Sequence, residues 1–86
     1  MRENIGDNMQ IRVKFFGPQR LETNLEKYDI QCEDGMRVID VIDFLKMRFN
    51  KISFGEIIFV NGVKSNIQTK LKHMDEVMFL PSIGGG

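Results

Sequence analysis

The feature that most constrains the fold is one helical apolar stripe, over residues 38–49, set between two groups of alternating segments. Its apolar residues recur at three- and four-residue spacing, as in a helix that lies on a sheet; they are Val38, Val41, Ile42, Leu45 and Phe49. Acidic residues fall in its early turns and basic residues in its late turns, as the helix dipole prefers. A single helix with one apolar face must bury that face, and a sheet is the surface on which it can do so.

Period-two alternation predicts the strands of that sheet. The predicted strands cover residues 10–16, 27–33, 57–60, 63–64 and 76–80, with a polar loop over residues 18–25. Asn61-Gly62 predicts a type I′ hairpin turn, which needs positive φ twice. The order β-β-α-β-β-β therefore predicts an α+β roll, a mixed sheet of four to five strands crossed by one main helix.

The alternation also assigns faces. Ile11, Val13 and Phe15 should face the core, which leaves Phe16 on the other side. In the last strand, Val77 and Phe79 share one face, and Met78 and Leu80 share the opposite face.

Bulk properties exclude several classes of protein. The 86 residues suit one small domain, and a formal net charge of zero argues against nucleic acid or an anionic membrane as partner. The sequence has no apolar run of bilayer length, and a single cysteine cannot form an internal disulfide, so we expect a cytoplasmic protein. We interpret residues 1–9 as a disordered extension, 10–81 as the domain and 82–86 as a flexible tail.

The tail carries the strongest indication of function. Pro81 cannot donate to a sheet ladder, and Gly84, Gly85 and Gly86 end the sequence. At a glycine frequency of about 7%, a given tripeptide is all glycine roughly 3 times in ten thousand. A disordered end or a cloning remnant is the alternative interpretation. We expect chemistry on the α-carboxyl of Gly86, reached through a tail too thin to be blocked by side chains.

Side-chain chemistry is sparse. His73 is the single histidine, so neither a triad built on two histidines nor a Cys/His metal set can form. Cys32 lies on the apolar side of its strand and is expected to be a buried structural thiol. We interpret Asp40 and Asp43 as solvated charges of the helix. The sequence predicts that this chain is not an enzyme on its own.

Three segments resemble the small sulfur-carrier (MoaD/ThiS-type) family, which has the ubiquitin-like β-grasp fold. They are residues 11–17 (IRVKFFG), 60–62 (VNG) and 71–81 (LKHMDEVMFLP) followed by the glycines. Within this family, the loop between the first two strands is longer than in the thiamine sulfur carriers. Its length makes the chain most similar to the small subunit of molybdopterin synthase. Two residues depart from the family pattern. Arg37 stands at the helix N-cap position that Ser or Thr usually occupies, which should lower the stability of the fold by about 1 kcal/mol. Met74 stands where a glycine often forms the last turn.

The resemblance implies a mechanism. An E1-like adenylyltransferase would use ATP and Mg²⁺ to adenylate Gly86, and a sulfur donor protein would displace AMP to leave a thiocarboxylate. The chain itself would bind no cofactor and no metal. Gly85 would let the tail thread into the large synthase subunit, which would receive the sulfur for molybdopterin. Partner contacts are expected at residues on the outer face and in the tail: Phe16, Met78, Leu80, Pro81, Ile83 and Gly84. For Phe16, burial under the loop at 18–25 is the alternative.

Other functions stay open. The same activation could join Gly86 to a lysine of a target protein, as in ubiquitin-like modifiers, or supply sulfur for thiamine or for tRNA thiolation. A third hypothesis is a β-grasp interaction domain whose tail is never activated. Catalysis through Cys32 ranks last.

Overall fold

A computed structural model describes residues 8–80 and shows a mixed five-stranded sheet with two helices. The elements are β1 (Asn8–Lys14), α1 (Pro18–Thr23), β2 (Lys27–Glu33), α2 (Val38–Arg48), β3 (Ile57–Val60), β4 (Val63–Ser65) and β5 (Glu76–Leu80). The strand order is β2-β1-β5-β3-β4. β1 and β5 run parallel, and the other neighbouring pairs run antiparallel. This confirms the predicted α+β architecture.

The core lies between α2 and one face of the sheet. Val38, Val41 and Leu45 of α2 are fully buried, as the helical stripe predicts. They join one cluster with the inward residues of four strands: Met9, Ile11, Val13, Ile30, Ile58, Val60, Val77 and Phe79. Phe49, directly after α2, packs edge-on against Phe15 at a centroid distance of 6.0 Å. The predicted inward faces of the first and last strands are confirmed.

The loop predicted over residues 18–25 is wrong in part, because Pro18–Thr23 forms the short helix α1. Its Leu21 is 88% exposed, so α1 has no apolar stripe that periodicity could detect. Polar contacts to Ser53 hold it instead. Gln19 Nε2 donates to the Ser53 carbonyl at 2.7 Å, and the Glu22 carboxylate accepts from both Ser53 N–H and Oγ–H at 2.7 Å each.

The N-terminal boundary is also corrected. β1 begins at Asn8, and Met9 is 5% exposed and lies opposite Cys32 of β2. The disordered extension predicted over residues 1–9 is therefore wrong at its last two residues. β2 runs as far as Glu33 and so gives these residues a pairing partner, and Met9 continues the inward alternation of Ile11. Residues 1–7 and the predicted tail, 82–86, lie outside the described part.

The start of α2 compensates for its missing Ser/Thr cap. The Asp40 carboxylate accepts from the Arg37 N–H at 2.8 Å. The Val38 and Ile39 N–H groups donate to backbone carbonyls of the segment 66–69, at 3.0 and 2.9 Å. Since a helix leaves its first N–H groups without intrahelical partners, these bonds replace the cap that a Ser or Thr side chain would supply. Asp40 therefore has a structural role beyond solvated charge.

A polar network ties the β3–β4 turn to the start of β5. Asn61 and Gly62 have φ of 53° and 80°, which confirms the predicted type I′ turn. Asp75 is 9% exposed, and its carboxylate accepts from Asn61 Nδ2 at 2.7 Å and from Lys72 N–H at 2.8 Å. Asn61 Oδ1 in turn accepts from the Glu76 N–H at 2.9 Å. The entry of β5 is thereby fixed. Between residues 8 and 80, no helix is long and apolar enough to span a membrane.

Candidate functional site

The strand that leads to the tail occupies the middle of the sheet. β5 pairs with β1 on one side and with β3 on the other. Its last residue, Leu80, lies opposite Ile57 of β3. The chain therefore leaves the sheet from an anchored point. The predicted site residues beyond it, which are Pro81, Ile83, Gly84, Gly85 and Gly86, lie outside the described residues, so their roles stay predictions.

One face of the sheet carries an apolar patch that we call the open face, made of Ile57, Phe59, Met78 and Leu80. All four side chains are half-buried. The register places Phe59 opposite Met78 and Ile57 opposite Leu80, so the four form two adjacent cross-strand pairs. α2 covers the other face of the sheet. The predicted outward orientation of Met78 and Leu80 is confirmed, while Ile57 and Phe59 were missed as candidate site residues.

Basic residues border the open face. Lys14 lies opposite Met78, and Lys64 lies opposite Phe59. Beyond them, Arg12 and Asp29 face each other across β1 and β2, and the Arg12 guanidinium donates to both carboxylate oxygens at 2.7 and 3.2 Å. This hydrogen bond lowers the pKa of Asp29 and raises that of Arg12. Lys14 and Lys64 therefore flank the apolar centre, whereas Arg12 is paired with Asp29 and lies opposite Glu76, so the border beyond the two lysines carries both signs of charge.

Phe16 lies elsewhere than the pattern predicts. β1 ends at Lys14, so Phe16 has no strand partner, and its half-buried ring lines a cavity. This cavity has a volume of about 210 Å³, and its walls include Phe16, Pro18, Gln19, Phe54, Gly55 and Phe79. Phe79 immediately precedes Leu80. The cavity is therefore at the end of the sheet from which the tail departs.

The remaining candidate groups have structural surroundings. Cys32 is half-buried against the core, and burial raises the pKa of its thiol, which disfavours the reactive thiolate. The prediction of a structural thiol is consistent with this position, although the residue is less buried than expected. His73 Nδ1 accepts a hydrogen bond from the Gln10 N–H at 3.0 Å. Within residues 8–80, no group of three His, Cys, Asp or Glu side chains could hold a metal ion.

Comparison with protein families gives a match over most of the chain. The model of the ThiS family matches residues 13–86. The chain belongs to the ThiS family. Comparison with curated protein sequences found no match.

Solved structures agree with this membership. The ThiS-family chain is 28% identical to a Pyrococcus furiosus protein assigned as molybdopterin converting factor subunit 1, with 87% of this chain and 99% of that chain covered and a TM-score of 0.76. It is 26% identical to a chain in the Helicobacter pylori complex of molybdopterin-converting factor subunits 1 and 2, with 91% and 100% covered and a TM-score of 0.58. Small archaeal modifier protein 1 of Methanosarcina acetivorans, at 22% identity, 92% and 98% coverage and a TM-score of 0.74, shows the fold alone.

These findings confirm three predictions. The fold is the ubiquitin-like β-grasp. The ThiS-family protein is a ubiquitin-like sulfur carrier or modifier. Small proteins of this type act as carriers or subunits and are not enzymes themselves.

Proposed function

We propose that this ThiS-family protein carries sulfur as a thiocarboxylate on Gly86 and delivers it for molybdopterin synthesis as the small subunit of a molybdopterin synthase. One observation supports this pathway above the others. The P. furiosus protein and the H. pylori chain are more than 25% identical to this one, are covered almost completely, and are both associated with molybdopterin conversion.

The chemistry acts on the C-terminus because a carboxylate is a poor electrophile. An E1-like adenylyltransferase binds ATP and Mg²⁺ and converts the Gly86 carboxylate into an acyl-adenylate, whose AMP is a good leaving group. A persulfide on a sulfur donor protein displaces AMP to give an acyl disulfide, and a thiol then attacks the donor-side sulfur of its S–S bond, which leaves the thiocarboxylate on Gly86 and a disulfide between that thiol and the donor cysteine. The sulfur is therefore carried without a cysteine of this chain, in agreement with the half-buried position of Cys32 and the raised pKa of its thiol.

The position of β5 supports a tail that reaches into a partner. Six residues, 81–86, follow Leu80, and an extended segment of that length spans about 20 Å. Gly85 and Gly86 add no side chains that a narrow channel would have to accommodate. β5 is paired on both sides, so the point from which the tail extends is fixed. Contacts between a partner and the folded domain can therefore position the terminal carboxyl.

The open face is the proposed docking surface for the large subunit. Its apolar centre and the two flanking lysines, Lys14 and Lys64, suit a partner surface with an apolar groove and acidic residues opposite these lysines. Met78 and Leu80 would contact the groove together with Ile57 and Phe59. Pro81, Ile83 and Gly84 would continue the contact along the tail.

Intact-mass analysis tests the carrier chemistry. The protein is incubated with an activating enzyme, ATP, Mg²⁺ and a sulfur donor, and we expect the mass increase that corresponds to replacement of one oxygen by sulfur, mapped to Gly86. A chain that ends at Gly84 is the matched control and should show no increase. An unchanged mass of the full chain with a competent activating enzyme would contradict the proposal, as would equal modification of the truncated chain.

A second measurement tests the pathway. The thiocarboxylated protein is mixed with a molybdopterin synthase large subunit and the pterin precursor, and we expect molybdopterin to form. Transfer of the sulfur only to a thiamine precursor or to tRNA would assign another pathway. Isolation of Gly86 in an isopeptide bond to lysines of cellular proteins, without sulfur transfer, would instead assign the modifier function.

A further inference from the structure

β2 is the longer of the two edge strands of the sheet. Among residues 8–80 it pairs with β1 alone, over seven residues and with an unbroken register. It contains no proline, glycine or bulge, which are features that block further pairing at many sheet edges. β4, at the other edge, has only three residues. The outer side of β2 is therefore a template on which one more strand can pair.

The hydrogen bonds to β1 show which backbone groups of β2 point outward. The Phe15 N–H donates to the Glu26 carbonyl at 2.9 Å, directly before β2 begins. Hydrogen-bonded and non-hydrogen-bonded pairs alternate along an antiparallel ladder, so the even-numbered residues of β2 bond to β1. The odd-numbered residues direct their N–H and C=O groups away from β1; they are Lys27, Asp29, Gln31 and Glu33.

The sequence of β2 is complementary to its own reverse. If a second β2 pairs antiparallel with Ile30 at the two-fold axis, Lys27 of each copy lies opposite Glu33 of the other. With the axis at Asp29, two aspartates lie opposite each other, and with the axis at Gln31, Asp29 lies opposite Glu33. Opposite charges that face each other across two strands are stabilising, and like charges are destabilising. The charges therefore favour the register centred on Ile30 over its two neighbours.

α2 extends this complementarity above the strand. The Arg48 Nε–H donates to the Tyr28 hydroxyl at 2.9 Å, and Asp40 and Cys32 line the same surface groove. α2 therefore runs antiparallel to β2, from an acidic first turn to a basic last turn. Phe44, which is 37% exposed, lies one helical turn from both Asp40 and Arg48 and hence near the middle of β2. In the same pairing, the acidic end of each helix faces the basic end of the other.

We propose that two copies of this chain form a dimer by antiparallel pairing of their β2 strands, with Ile30 at the two-fold axis. The two five-stranded sheets join into one, with two hydrogen bonds in each residue pair formed by the odd-numbered residues. Because this axis is perpendicular to the sheet, both α2 helices lie on one side and both open faces on the other. β1 separates β2 from β5, so the dimer leaves the open faces free and does not depend on the proposed function.

Sedimentation equilibrium of the full chain measures the dimer directly. It is run between about 10 μM and 1 mM, at low ionic strength because salt screens exposed charge pairs. We expect a reversible monomer–dimer equilibrium in this range, and a chain that stays monomeric throughout would overturn the proposal. A monomer whose β2 pairs with an extended segment of another protein would also overturn it.

Hydrogen exchange at the same concentrations locates the contact. The Asp29 and Gln31 amides point outward and should become protected only as the concentration rises. The Ile30 amide bonds to β1 and should be protected throughout. A dimer that forms without this added protection at Asp29 and Gln31 would overturn the assignment to β2.

Two charge reversals test the register, and both change exposed side chains. Lys27→Glu alone places glutamates opposite each other at both ends of the contact, and Glu33→Lys alone places lysines there. Each variant should therefore dimerise about tenfold more weakly. An equimolar mixture of the two variants restores opposite charges at both ends and should dimerise about as tightly as the unmodified chain. Lys64→Glu, on the other edge strand, is the matched control and should leave the dimer unchanged.

The mixture distinguishes this register from a general effect of charge. Single variants that dimerise normally, or a mixture that is as weak as either variant alone, would overturn the proposal. Gln31→Pro is a second disruption, because it removes an outward N–H and no hydrogen bond to β1. It should give a folded monomer by circular dichroism and sedimentation, and an undiminished dimer would contradict the pairing. If this variant fails to fold, the charge reversals still decide the question.

Discussion

Replacement of Met74 by glycine should relieve a strained turn just before β5. Met74 has a φ of 72°, in the left-handed region that L-residues rarely occupy. Its side chain is 68% exposed, and its N–H donates to the Gln10 carbonyl at 2.7 Å. Glycine can adopt the same backbone conformation and keep this hydrogen bond. The perturbation therefore changes the strain with little change in the contacts of the turn.

The magnitude is best obtained from the comparison of Met74→Gly with Met74→Ala, since both variants lose the same side chain beyond Cβ. Alanine keeps the left-handed strain of about 1–2 kcal/mol. Glycine removes it but raises the entropy of the unfolded chain, at a cost of about 0.4–1 kcal/mol. Met74→Gly should therefore be more stable than Met74→Ala by roughly 0.5–1 kcal/mol. At an ordinary helical position the order is the opposite, with glycine about 1 kcal/mol less stable than alanine.

Met47 provides the matched control, because it is also an exposed methionine, at 88%, but lies within α2. Thermal unfolding followed by circular dichroism should show the Met74→Gly variant melting about 2–8 °C above Met74→Ala. Met47→Gly should melt below Met47→Ala. The reasoning is refuted if Met74→Gly is no more stable than Met74→Ala while Met47→Gly melts below Met47→Ala. That result would mean that the positive φ of Met74 does not destabilise the fold.

Three further outcomes are expected. Asp75→Ala should lower the free energy of unfolding by about 2 kcal/mol, measured in urea, because it leaves two N–H donors unpaired; Asn61→Ala should cost less in that background than alone. Phe59→Asp should weaken binding of a large synthase subunit at least tenfold in a calorimetric titration, with the far-UV circular dichroism unchanged. Asp29→Asn should make stability less sensitive to acid. The hydrogen bond from Arg12 lowers the folded-state pKa of Asp29, so its contribution is present above the unfolded pKa and is lost as pH falls through the folded pKa. Urea unfolding of both proteins between about pH 5 and pH 2 measures this difference.

The elements predicted correctly are those whose stability comes from an apolar face. α2 and the strands bury residues at regular spacing, so the period of the sequence predicts them. α1 has no such face: Leu21 is exposed, and Gln19 and Glu22 bind Ser53, which is more than thirty residues away. Contacts between polar groups that distant in sequence leave no periodic trace. The same applies to the bond from the Val38 N–H to the Thr69 carbonyl at the start of α2, whereas the Asp40–Arg37 bond there joins residues only three positions apart.

The candidate site could be predicted in part for a related reason. Alternation within one strand assigned Met78 and Leu80 to the outer face. Phe59 and Ile57 join them only through the β3–β5 register, which pairs residues about twenty positions apart. Phe16 extends the alternation of β1 in sequence, but β1 ends before it, and its ring lines the cavity instead. The role of Gly86 rests on the sequence and on family membership.

The alternation of β5 links stability to function in this fold. Val77 and Phe79 are fully buried, while Met78 and Leu80 lie on the open face, so successive residues of one strand serve the core and the proposed interface. A shift of the β5 register by one residue would bury Met78 and Leu80 and would place Val77 and Phe79 on the open face. Two features oppose such a shift: pairing of β5 on both sides and the Asp75–Asn61 hydrogen bond at its start. Because these contacts fix the register, the position of Leu80, where β5 ends, is fixed as well. In the proposed function, in which the carboxyl of Gly86 is modified and used by partner proteins, this constraint would hold the base of the tail in one place relative to the open face.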